Sequence, residues 1–444
     1  MDLRIEGGAP LCGQVEVPAD KSIAHRALIT AGLAHGDSTI RARAPGADIR
    51  STAAVIAALG VDVATDEDGW QVKGTGPGGL KRPSGPLDCG NSGTTVRMMA
   101  GVLAGAGIES TLVGDASLAK RPMRRVCEPL RALGADIEGR RDGERELLPI
   151  NVGSGAFRGG EQELSIASAQ LKSALLLAGV AGGRAVKVRE PAASRDHTEL
   201  MLTAMGADIT RESPTRVTLA EGARLIGRDL VVPGDFSSAA YVLSAAMLVE
   251  GSEVTVRDVG VNRTRTGMLE ILEELGADVR VTGWHEEQGE TICNLTVLPA
   301  NLVARRPGDV PTVVGGEVIP RLIDELVVLA AVASAARGTT VVRDARELRV
   351  KESDRIAETV RLLEAFGITA VERNDGFSIT GPQRIQPARI DVGADHRLAL
   401  TAVVLALAAP GESELRNFEV ADVSFPGFVD TITSLGARVG CCSP

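Results

Sequence analysis

The sequence predicts an α/β protein of two domains, each built from three copies of one repeated unit. Three observations support this prediction. The chain has 444 residues, which exceeds the size at which a single hydrophobic core keeps growing. One helix-to-strand junction recurs six times, and a Val-Pro-x-Asp tetrapeptide occurs at two points that divide the junctions into two groups of three.

The recurring junction predicts a helix that ends at a glycine and is followed by a strand. It reads ALGVDV, ALGADI, AMGADI, ELGADV, AFGITA and SLGARV. Apolar residues before it have helical spacing, as in Met268, Ile271, Leu272 and Leu275. Glycine supplies a left-handed C-terminal cap, and a half-buried strand follows. The capping glycines are Gly60, Gly134, Gly206, Gly276, Gly367 and Gly436. They are 69 to 91 residues apart, which favours a compact repeat of two helices and several strands over an ordinary solenoid.

The Val-Pro-x-Asp tetrapeptides at residues 17–20 and 232–235 are candidate crossovers between the domains. They predict one domain over residues 21–232 and a second, discontinuous domain that combines residues 1–20 with residues 233–444. The first domain would carry three repeats and so would the second. We expect the active site in the cleft between them, because ligand sites prefer domain interfaces.

Composition and charge exclude several functional classes. A net charge of −10 and an aromatic content of 2% argue against nucleic-acid binding, which needs a basic face and usually rings for stacking. The N-terminus lacks the pattern of a signal peptide, and the apolar runs are too short to span a bilayer. Six scattered cysteines fit neither a zinc site nor a disulfide framework. We therefore expect a soluble, cytoplasmic protein, and we expect it to be a monomer.

Basic and polar residues gather where loops run into apolar helices, a place where backbone N–H groups can bind anions. In PADKSIAHRALITAGLA, Lys21, Ser22 and Arg26 lie in the first turns of a predicted helix. A competing interpretation is a solvated helix start that Ser22 helps to cap. The position of the two cations beside a predicted crossover favours a functional role.

A glycine-rich turn in DCGNSGTTVRMMAGVLAG places Asn91, Thr94 and Arg97 at the start of another predicted helix. The turn has neither the Walker A pattern nor the dinucleotide fingerprint, so ATP and NAD are not implied. Arg121 belongs to a group of cations in GDASLAKRPMRRVCEPL, for which a charged surface turn is the competing interpretation.

Two further segments, SIASAQLKSALLLAG and PAASRDHTELML, place polar and cationic side chains before predicted helices. These residues are Ser168, Gln170, Lys172, Ser194 and Arg195. Hydroxyl, amide and cationic donors of this kind are typical of phosphate or carboxylate recognition.

The C-terminal half supplies the acidic residues. Asp324 and Glu325 lie in IPRLIDELVVLAAVA, and Lys351, Glu352 and Arg355 lie in LRVKESDRIAETV. Carboxylates beside cations are what proton transfer near anionic substrates requires. The competing interpretation is a helix-start charge at Asp324 and an exposed, self-paired helix end at the second segment.

The segment GADHRLALTA places His396 and Arg397 at a further predicted helix start. A lone histidine is more often structural than catalytic, and no spacing along the chain is typical of metal ligands. Neither a metal nor another cofactor is therefore predicted.

These residues fall within eleven motifs that occur in one order along almost the entire chain. They are DKSIAHRALI, GNSGTTVR, RPMRR, SAQLKSALLLAG, SRDHTELML, VPGDFSSAAY, NRTRTGMLEIL, IDEL, ELRVKESDRI, DHRLAL and SFPGF. In these motifs the chain resembles the 5-enolpyruvylshikimate-3-phosphate (EPSP) synthase family. The resemblance implies the two-domain enolpyruvyl transferase fold, in which each domain has three βαβαββ repeats arranged as an inside-out α/β barrel.

The resemblance also implies roles for individual residues. Asp324 is similar to the base that contacts the attacking hydroxyl, Glu352 to the acid near the methylene carbon, and Lys21 to a residue that assists proton transfer. The implied phosphoenolpyruvate ligands are Lys21, Asn91, Thr94, Arg97, Arg121, Gln170, Arg355 and Arg397. The implied shikimate 3-phosphate ligands are Lys21, Ser22, Arg26, Ser168, Ala169, Gln170, Ser194, Asp324 and Lys351.

The activity that the resemblance implies is transfer of the enolpyruvyl group of phosphoenolpyruvate to the 5-hydroxyl of shikimate 3-phosphate, a step of chorismate and aromatic amino acid biosynthesis. Two alternatives stay open at this point. One is an enolpyruvyl transferase that acts on a nucleotide sugar such as UDP-N-acetylglucosamine and carries a reactive cysteine, for which Cys127 is the nearest candidate. The other is a non-catalytic relative that binds ligands.

Several positions depart from the pattern that is common in this family, among them Ala19, Ala24, Ala169, Val423 and Glu347. Ala169 stands where the second serine of a Ser-Ser-Gln motif is usual, which removes a hydroxyl group from the phosphate site. Val423 replaces a lysine that some members have before the final Ser-Phe-Pro motif, and Glu347 replaces a possible asparagine. The implied acid, base and arginines are all present.

Overall fold

The computed structural model describes residues 1–298, 302 and 310–442. Within these residues the chain forms thirteen α-helices. They are α1 (Lys21–Leu33), α2 (Ala47–Ala58), α3 (Gly93–Ala106), α4 (Arg124–Ala132), α5 (Ala169–Gly182), α6 (His197–Ala204), α7 (Phe236–Leu248), α8 (Gly267–Glu274), α9 (Ile319–Leu322), α10 (Leu326–Ala335), α11 (Arg355–Ala365), α12 (His396–Ala408) and α13 (Phe428–Ser434). None of the helices in this part of the chain is long and apolar enough to cross a membrane.

The same residues form 24 strands. They are β1 (Asp2–Gly7), β2 (Cys12–Glu16), β3 (His35–Arg41), β4 (Asp62–Thr65), β5 (Gly69–Thr75), β6 (Leu87–Asp88), β7 (Ser110–Val113), β8 (Ile137–Asp142), β9 (Arg145–Val152), β10 (Gly160–Glu163), β11 (Val186–Arg189), β12 (Ile209–Ser213), β13 (Arg216–Leu219), β14 (Leu230–Val231), β15 (Glu253–Gly260), β16 (Asp278–Glu287), β17 (Glu290–Leu298), β18 (Thr312–Val314), β19 (Gly338–Val342), β20 (Ala370–Arg373), β21 (Gly376–Gly381), β22 (Arg389–Asp391), β23 (Gly411–Arg416) and β24 (Arg438–Cys442).

The chain divides into two compact units. Unit 1 comprises Met1–Pro18, Pro233–His285 and the described residues from Thr291 onward. Unit 2 comprises Ala19–Val232 together with Glu286–Glu290. The chain passes from one unit to the other inside each Val-Pro-x-Asp tetrapeptide, between Pro18 and Ala19 and between Val232 and Pro233.

Unit 2 contains three four-stranded sheets, with strand orders β14-β3-β5-β4, β6-β7-β9-β8 and β10-β11-β13-β12. In each sheet the first two strands are parallel and the second and third are antiparallel. The second and third repeats read βαβαββ directly along the chain, as in β6, α3, β7, α4, β8 and β9. The first repeat takes its opening strand, β14, from the far end of the unit.

Unit 1 contains the other three sheets, with orders β2-β15-β17-β16, β18-β19-β21-β20 and β22-β23-β1-β24. In these sheets too the first two strands are parallel, and the second and third are antiparallel. Here the N-terminal strands β1 and β2 complete the last and the first repeat. The six βαβαββ repeats, three in each unit, confirm the repeat that the glycine junctions predict.

The first long helix of each repeat lies in the interior of its unit; in the repeat that begins with β18 the four-residue helix α9 precedes it. Helices α1, α3 and α5 of unit 2, and α7, α10 and α12 of unit 1, are apolar and buried on almost every side. Helices α3 and α5 approach especially closely, because Gly101 and Gly105 face the backbone of Ala174 and Ala178. Each unit is thus an α/β barrel with its helices inside, as predicted.

The six junction glycines have the conformation that their position requires. Their φ angles range from 77° at Gly367 to 105° at Gly436, in the left-handed region that favours glycine. Each follows the second helix of a repeat and precedes the third strand. The predicted helix ends are therefore confirmed at all six positions.

Candidate active site

The candidate ligands of unit 2 lie at the starts of its buried helices and in the loops before α4 and α6. Helix α1 is capped by Asp20, whose Oδ1 accepts a hydrogen bond from the backbone nitrogen of Ile23 at 2.9 Å. The alternative that Ser22 caps this helix is therefore wrong. Next to the cap, Lys21 forms an ion pair with Asp48, and its side chain stays 29% exposed. Asp48 orients the ammonium group and leaves it accessible.

Arg26, one turn further along α1, is buried. Its Nε donates to Thr198 Oγ1 at 2.6 Å, its Nη2 to Ser173 Oγ at 2.9 Å and its Nη1 to the backbone oxygen of Ser22 at 2.7 Å. Burial lowers the pKa of this guanidinium to about 10, so it stays charged at neutral pH. Arg26 ties α1 to α5 and α6, and its role as a substrate ligand stays a prediction.

Two guanidinium groups converge on the glycine-rich turn before α3. A Cβ atom on Gly93 would lie 2.8 Å from Nη1 of Arg97 and 3.4 Å from Nη1 of Arg121. Arg121 Nη2 donates to Asn91 Oδ1 at 2.6 Å, and Asn91 Nδ2 donates to Asp115 at 2.6 Å. The structure thus brings together three predicted phosphoenolpyruvate ligands around the first residue of a helix, an arrangement that can bind an anion.

Gln170 links the start of α5 to the start of α3. Its Oε1 accepts from Arg97 Nη1 at 2.7 Å, and its Nε2 donates to Thr94 Oγ1 at 3.0 Å. The predicted ligands on the two helices therefore form one hydrogen-bonded group.

Ser168 and Ser194 meet at a buried carboxylate that the sequence analysis did not single out. Glu190 Oε1 accepts from the backbone nitrogen of Ser168 at 2.9 Å, and Oε2 accepts from Ser194 Oγ at 2.8 Å. Lys172 Nζ lies 2.9 Å from the same Oε2 and 2.8 Å from Glu199 Oε1. Burial lowers the Lys172 pKa, but the two carboxylates outweigh it, and the net pKa is raised.

The candidate residues of unit 1 surround Arg355, the first residue of α11. This arginine is buried and donates to both carboxylate oxygens of Asp395, at 2.8 and 3.1 Å. Its Nη2 lies 2.7 Å from Glu352 Oε2, and its Nη1 lies 3.8 Å from Asp324 Oδ1. Burial lowers the Arg355 pKa, but the carboxylates of Asp395 and Glu352 raise it by more than burial lowers it, so the net pKa is raised.

Arg397 flanks Asp324 on a second side. Its Nη1 donates to the backbone oxygen of Asp324 at 3.0 Å, and its Nη2 lies 3.6 Å from Asp324 Oδ1. Burial lowers the Arg397 pKa, but the Asp324 carboxylate outweighs it, and the pKa is raised well above its ordinary value. Asp324 remains 16% exposed and Glu352 27% exposed, so both carboxylates keep access to a ligand.

Behind Asp324 lies a buried polar group that links α7 to the start of α10. Arg265 Nη2 donates to Asp235 Oδ1 at 2.6 Å and to Ser237 Oγ at 2.8 Å. Ser237 Oγ donates in turn to Glu325, the neighbour of Asp324. This group supports the segment that carries the predicted base.

Lys351, a predicted ligand of shikimate 3-phosphate, lies beside Glu347. The distance from Lys351 Nζ to Glu347 Oε1 is 3.2 Å, and the lysine side chain is partly exposed. Glu347, one of the departures from the family pattern, therefore fixes this cation.

The arrangement offers cations for anionic ligands and two accessible carboxylates for proton transfer. In the described part of the chain, no group of three or more His, Cys, Asp or Glu side chains is arranged to hold a metal ion. Sequence reasoning missed Asp395 and Glu190. A signal for Asp395 was available, since an aspartate directly before a helix that starts with cations is a typical N-cap, and Asp395 Oδ1 accepts from the backbone nitrogen of Arg397 at 3.0 Å.

Comparison with known proteins matches this chain to one family. The family model described as EPSP synthase (3-phosphoshikimate 1-carboxyvinyltransferase) matches residues 5–432. A 3-phosphoshikimate 1-carboxyvinyltransferase of Synechococcus sp. (strain RCC307) is 46% identical, over 97% of this chain and 98% of the relative. One from Brevibacillus brevis is 42% identical, over 98% of this chain and 99% of the relative.

Solved structures agree with this result. The EPSP synthase of Acinetobacter baumannii has a TM-score of 0.87 at 34% identity, and the match covers 99% of this chain and 100% of that one. The enolpyruvyl transferase NikO of Streptomyces tendae has a TM-score of 0.77 at 17% identity over 100% of this chain and 99% of that one, so it shows likeness of fold alone. The predicted enolpyruvyl transferase fold is confirmed. The chain belongs to the EPSP synthase family.

Proposed function

We propose that this protein transfers the enolpyruvyl group of phosphoenolpyruvate to the 5-hydroxyl of shikimate 3-phosphate and releases phosphate. The observation that carries the proposal is the position of the Asp324 carboxylate, which the buried Arg355 and the partly buried Arg397 flank at 3.8 and 3.6 Å. A carboxylate held in this way is oriented to accept a proton, and the arginines supply charge for an anionic substrate.

In the first step the methylene carbon of phosphoenolpyruvate gains a proton, and the adjacent carbon becomes cationic. Glu352 is the proposed acid, and Lys21 assists. The 5-hydroxyl oxygen attacks the cationic carbon while Asp324 accepts the hydroxyl proton. The product of this step is a tetrahedral intermediate that joins both substrates.

In the second step the bond between the tetrahedral carbon and the phosphate oxygen breaks. A proton leaves the methyl group at the same time and restores the carbon–carbon double bond. Glu352 and Asp324 exchange roles, since Glu352 now accepts the methyl proton and Asp324 donates its proton to the leaving phosphate. Positioned acids and bases each contribute about 10² to 10⁴ to the rate.

Most of the proposed ligands bind rather than react, because both substrates are anions. Holding the two reactants in a fixed relation raises the rate through effective molarity. Because both reactants are anions, this requires many fixed cations. Arg97 and Arg121 would bind phosphoenolpyruvate together with Arg355 and Arg397. The hydroxyl and amide groups of unit 2 would bind shikimate 3-phosphate. The proposed roles need no metal or organic cofactor.

The state of Cys127 opposes an alternative that uses a reactive cysteine on a nucleotide-sugar substrate. Its side chain is buried, and burial raises the pKa of the thiol to about 12. A thiol with this pKa stays protonated at neutral pH, whereas a nucleophilic cysteine needs its thiolate. The shikimate 3-phosphate acceptor is therefore the better-supported substrate.

Phosphate release from purified protein tests the proposal. Reactions contain phosphoenolpyruvate with shikimate 3-phosphate, with UDP-N-acetylglucosamine, or with no acceptor. We expect phosphate release only in the reaction that contains both phosphoenolpyruvate and shikimate 3-phosphate. We expect Asp324→Ala to lower kcat by about 100-fold or more, since it removes the proposed base.

The matched control is Asp430→Ala, which removes an exposed aspartate of unit 1 in the first turn of α13. It should keep the wild-type rate. Phosphate release with UDP-N-acetylglucosamine but not with shikimate 3-phosphate would overturn the assignment of the acceptor. A wild-type kcat in Asp324→Ala would overturn the assignment of the base.

We also propose that the protein acts in the cytoplasm as a monomer. Its composition supports the location, since six scattered cysteines without a disulfide framework are typical of a reducing compartment. Sedimentation velocity at working concentrations tests the monomer, which has a mass of 46.2 kDa. A species of twice that mass would contradict it.

A further inference from the structure

We infer that Glu190 is a positioning residue for shikimate 3-phosphate, because it joins the two segments that carry Ser168 and Ser194. This inference rests on the proposed function, in which both serines bind that substrate. Glu190 does not contact the substrate itself. It acts through the two serines.

Each oxygen of the Glu190 carboxylate holds one of the two segments. Oε1 accepts from the backbone nitrogen of Ser168, the residue at the N-cap position of α5, at 2.9 Å. Oε2 accepts from Ser194 Oγ, in the loop before α6, at 2.8 Å. Residues 168 and 194 are far apart along the chain, and this carboxylate fixes the distance between them. A change that removes either acceptor weakens this link, which Lys172 Nζ supports by donating to the backbone oxygen of Ser194 at 3.4 Å.

A carboxylate beside an anion site would ordinarily repel the anion. Lys172 removes this difficulty, since its Nζ lies 2.9 Å from Glu190 Oε2 and 2.8 Å from Glu199 Oε1. All three residues are at most 3% exposed, so water screens their charges weakly. The raised pKa of Lys172 agrees with this geometry, because the ammonium group stays charged beside its two partners.

The same contacts fix how Ser194 meets a ligand. A carboxylate can only accept, so the Ser194 hydroxyl hydrogen points to Glu190. The lone pairs of the Ser194 oxygen then face its other neighbours, and the oxygen accepts hydrogen bonds from donors there. Without the Glu190 acceptor the hydroxyl group would rotate among several orientations, and binding would have to select one of them.

The test compares Glu190→Gln with Glu199→Gln. Glutamine has one acceptor oxygen, so Glu190→Gln can keep the contact from Ser168 N, but its amide nitrogen would have to donate to Ser194 Oγ, which reverses that hydrogen bond and removes the charged acceptor. Glu199→Gln removes the other carboxylate partner of Lys172 but touches neither serine in these contacts. Each variant leaves Lys172 with one carboxylate, so we expect both to fold with similar thermal midpoints.

Affinity for shikimate 3-phosphate is measured by isothermal titration calorimetry, and turnover is measured by phosphate release. We expect Glu190→Gln to raise both the Kd and the KM for shikimate 3-phosphate about tenfold, which is the effect of one lost hydrogen bond to a charged group. Its KM for phosphoenolpyruvate and its kcat should stay within about threefold of wild type, because the loss is one of ground-state binding. Glu199→Gln should match wild type in all four quantities.

A double-mutant cycle with Ser194→Ala supplies a second readout. If Glu190 acts through Ser194, Glu190→Gln should weaken binding less in the Ser194→Ala background than in the wild type. Should Glu190→Gln fail to fold, Glu190→Asp keeps the charge but shortens the reach to both segments, and we expect it to raise the same Kd. Equal Kd values in wild type and in Glu190→Gln would overturn the inference, as would equal weakening by Glu199→Gln.

The two proposals fail in different ways. Wild-type protein that binds shikimate 3-phosphate but releases no phosphate would contradict the proposed function, while the Kd comparison would still decide the role of Glu190. Wild-type protein that does not bind shikimate 3-phosphate at all would overturn both.

Discussion

Arg355 donates to both carboxylate oxygens of Asp395, through Nε at 2.8 Å and through Nη2 at 3.1 Å. Both residues are 1% exposed. The same guanidinium group lies beside Glu352 and Asp324, the proposed acid and base. One buried ion pair therefore holds the two proposed catalytic carboxylates of unit 1 in a fixed relation to each other.

We expect Asp395→Asn to weaken both stability and catalysis. The amide keeps one acceptor but loses the charge that compensates Arg355, and removal of one partner of a buried pair costs about 3–5 kcal/mol. The denaturant midpoint should fall accordingly. The value of kcat/KM for phosphoenolpyruvate should fall by at least about tenfold, because Arg355 would no longer be held between the two carboxylates.

Asp422→Asn is the control for this prediction, since Asp422 is an exposed aspartate of the same unit. It should leave the midpoint and kcat/KM unchanged. A variant Asp395→Asn with wild-type kcat/KM would show that the ion pair does not support the site.

We expect Gly93→Ala to raise the KM for phosphoenolpyruvate by about tenfold or more. The new methyl group would lie 2.8 Å from Arg97 Nη1, closer than Cβ atoms normally approach, and 3.4 Å from Arg121 Nη1. At least the Arg97 guanidinium must move, and this movement disturbs its hydrogen bond to Gln170. Steady-state kinetics with each substrate varied in turn measure the effect.

Gly78→Ala serves as the matched substitution, because a Cβ atom there would meet nothing within 4 Å. Its KM for phosphoenolpyruvate should equal that of wild type. If Gly93→Ala also kept the wild-type KM, the two arginines would not be phosphoenolpyruvate ligands in the proposed sense.

The fold was largely predictable because its signals are local. Helical spacing and a capping glycine occur within about ten residues of each other, and the six glycines, such as Gly60 and Gly276, mark the same place in every repeat. The two repeats that borrow β1 and β2 from the N-terminus were less evident. Their pairing joins strands that are hundreds of residues apart, as in the register of Leu3 with Leu415.

The sequence motifs single out candidate site residues but not the partners of these residues. Motifs single out Arg355 and Arg26, yet they do not tell that Asp395 holds the first or that Ser173 and Thr198 hold the second. Such contacts depend on which helices pack together. A sequence of donors and acceptors is compatible with many pairings, and tertiary packing selects one.

We expect Arg265→Lys to destabilise the protein by about 1–3 kcal/mol, the cost of leaving a buried polar group without its partner. One nitrogen of Arg265 bonds both Asp235 and Ser237, and lysine cannot reproduce the planar geometry of this contact. Ser237 donates to Glu325, next to the proposed base, so kcat should fall as well. Chemical denaturation and phosphate release measure the two effects.

Arg263→Lys makes the same exchange two residues away at an exposed position. It should change neither quantity by a measurable amount. If both arginine variants behaved alike, the buried group behind Asp324 would have no special part in stability or turnover.

The burial of His25 predicts how the stability of the protein depends on pH. This residue is fully buried, and its Nδ1 lies 2.6 Å from Thr52 Oγ1. Burial, aided by the nearby Lys21 charge, lowers the His25 pKa from 6.5 to about 3. The folded protein therefore keeps a neutral imidazole at pH values where the unfolded chain binds a proton. Its contribution to stability is complete above about pH 6.5 and is lost as the pH falls towards 3.

Between pH 7.5 and pH 5.5 this histidine alone should lower the free energy of unfolding by about 1.4 kcal/mol. In His25→Gln the side chain does not titrate, so the denaturant midpoint should fall less between these two pH values than it does in wild type. The control is His285→Gln, because His285 is exposed, and this variant should follow the wild-type pH dependence. If His25→Gln lost as much stability on acidification as wild type does, His25 would have to be protonated in the folded state, which its burial opposes.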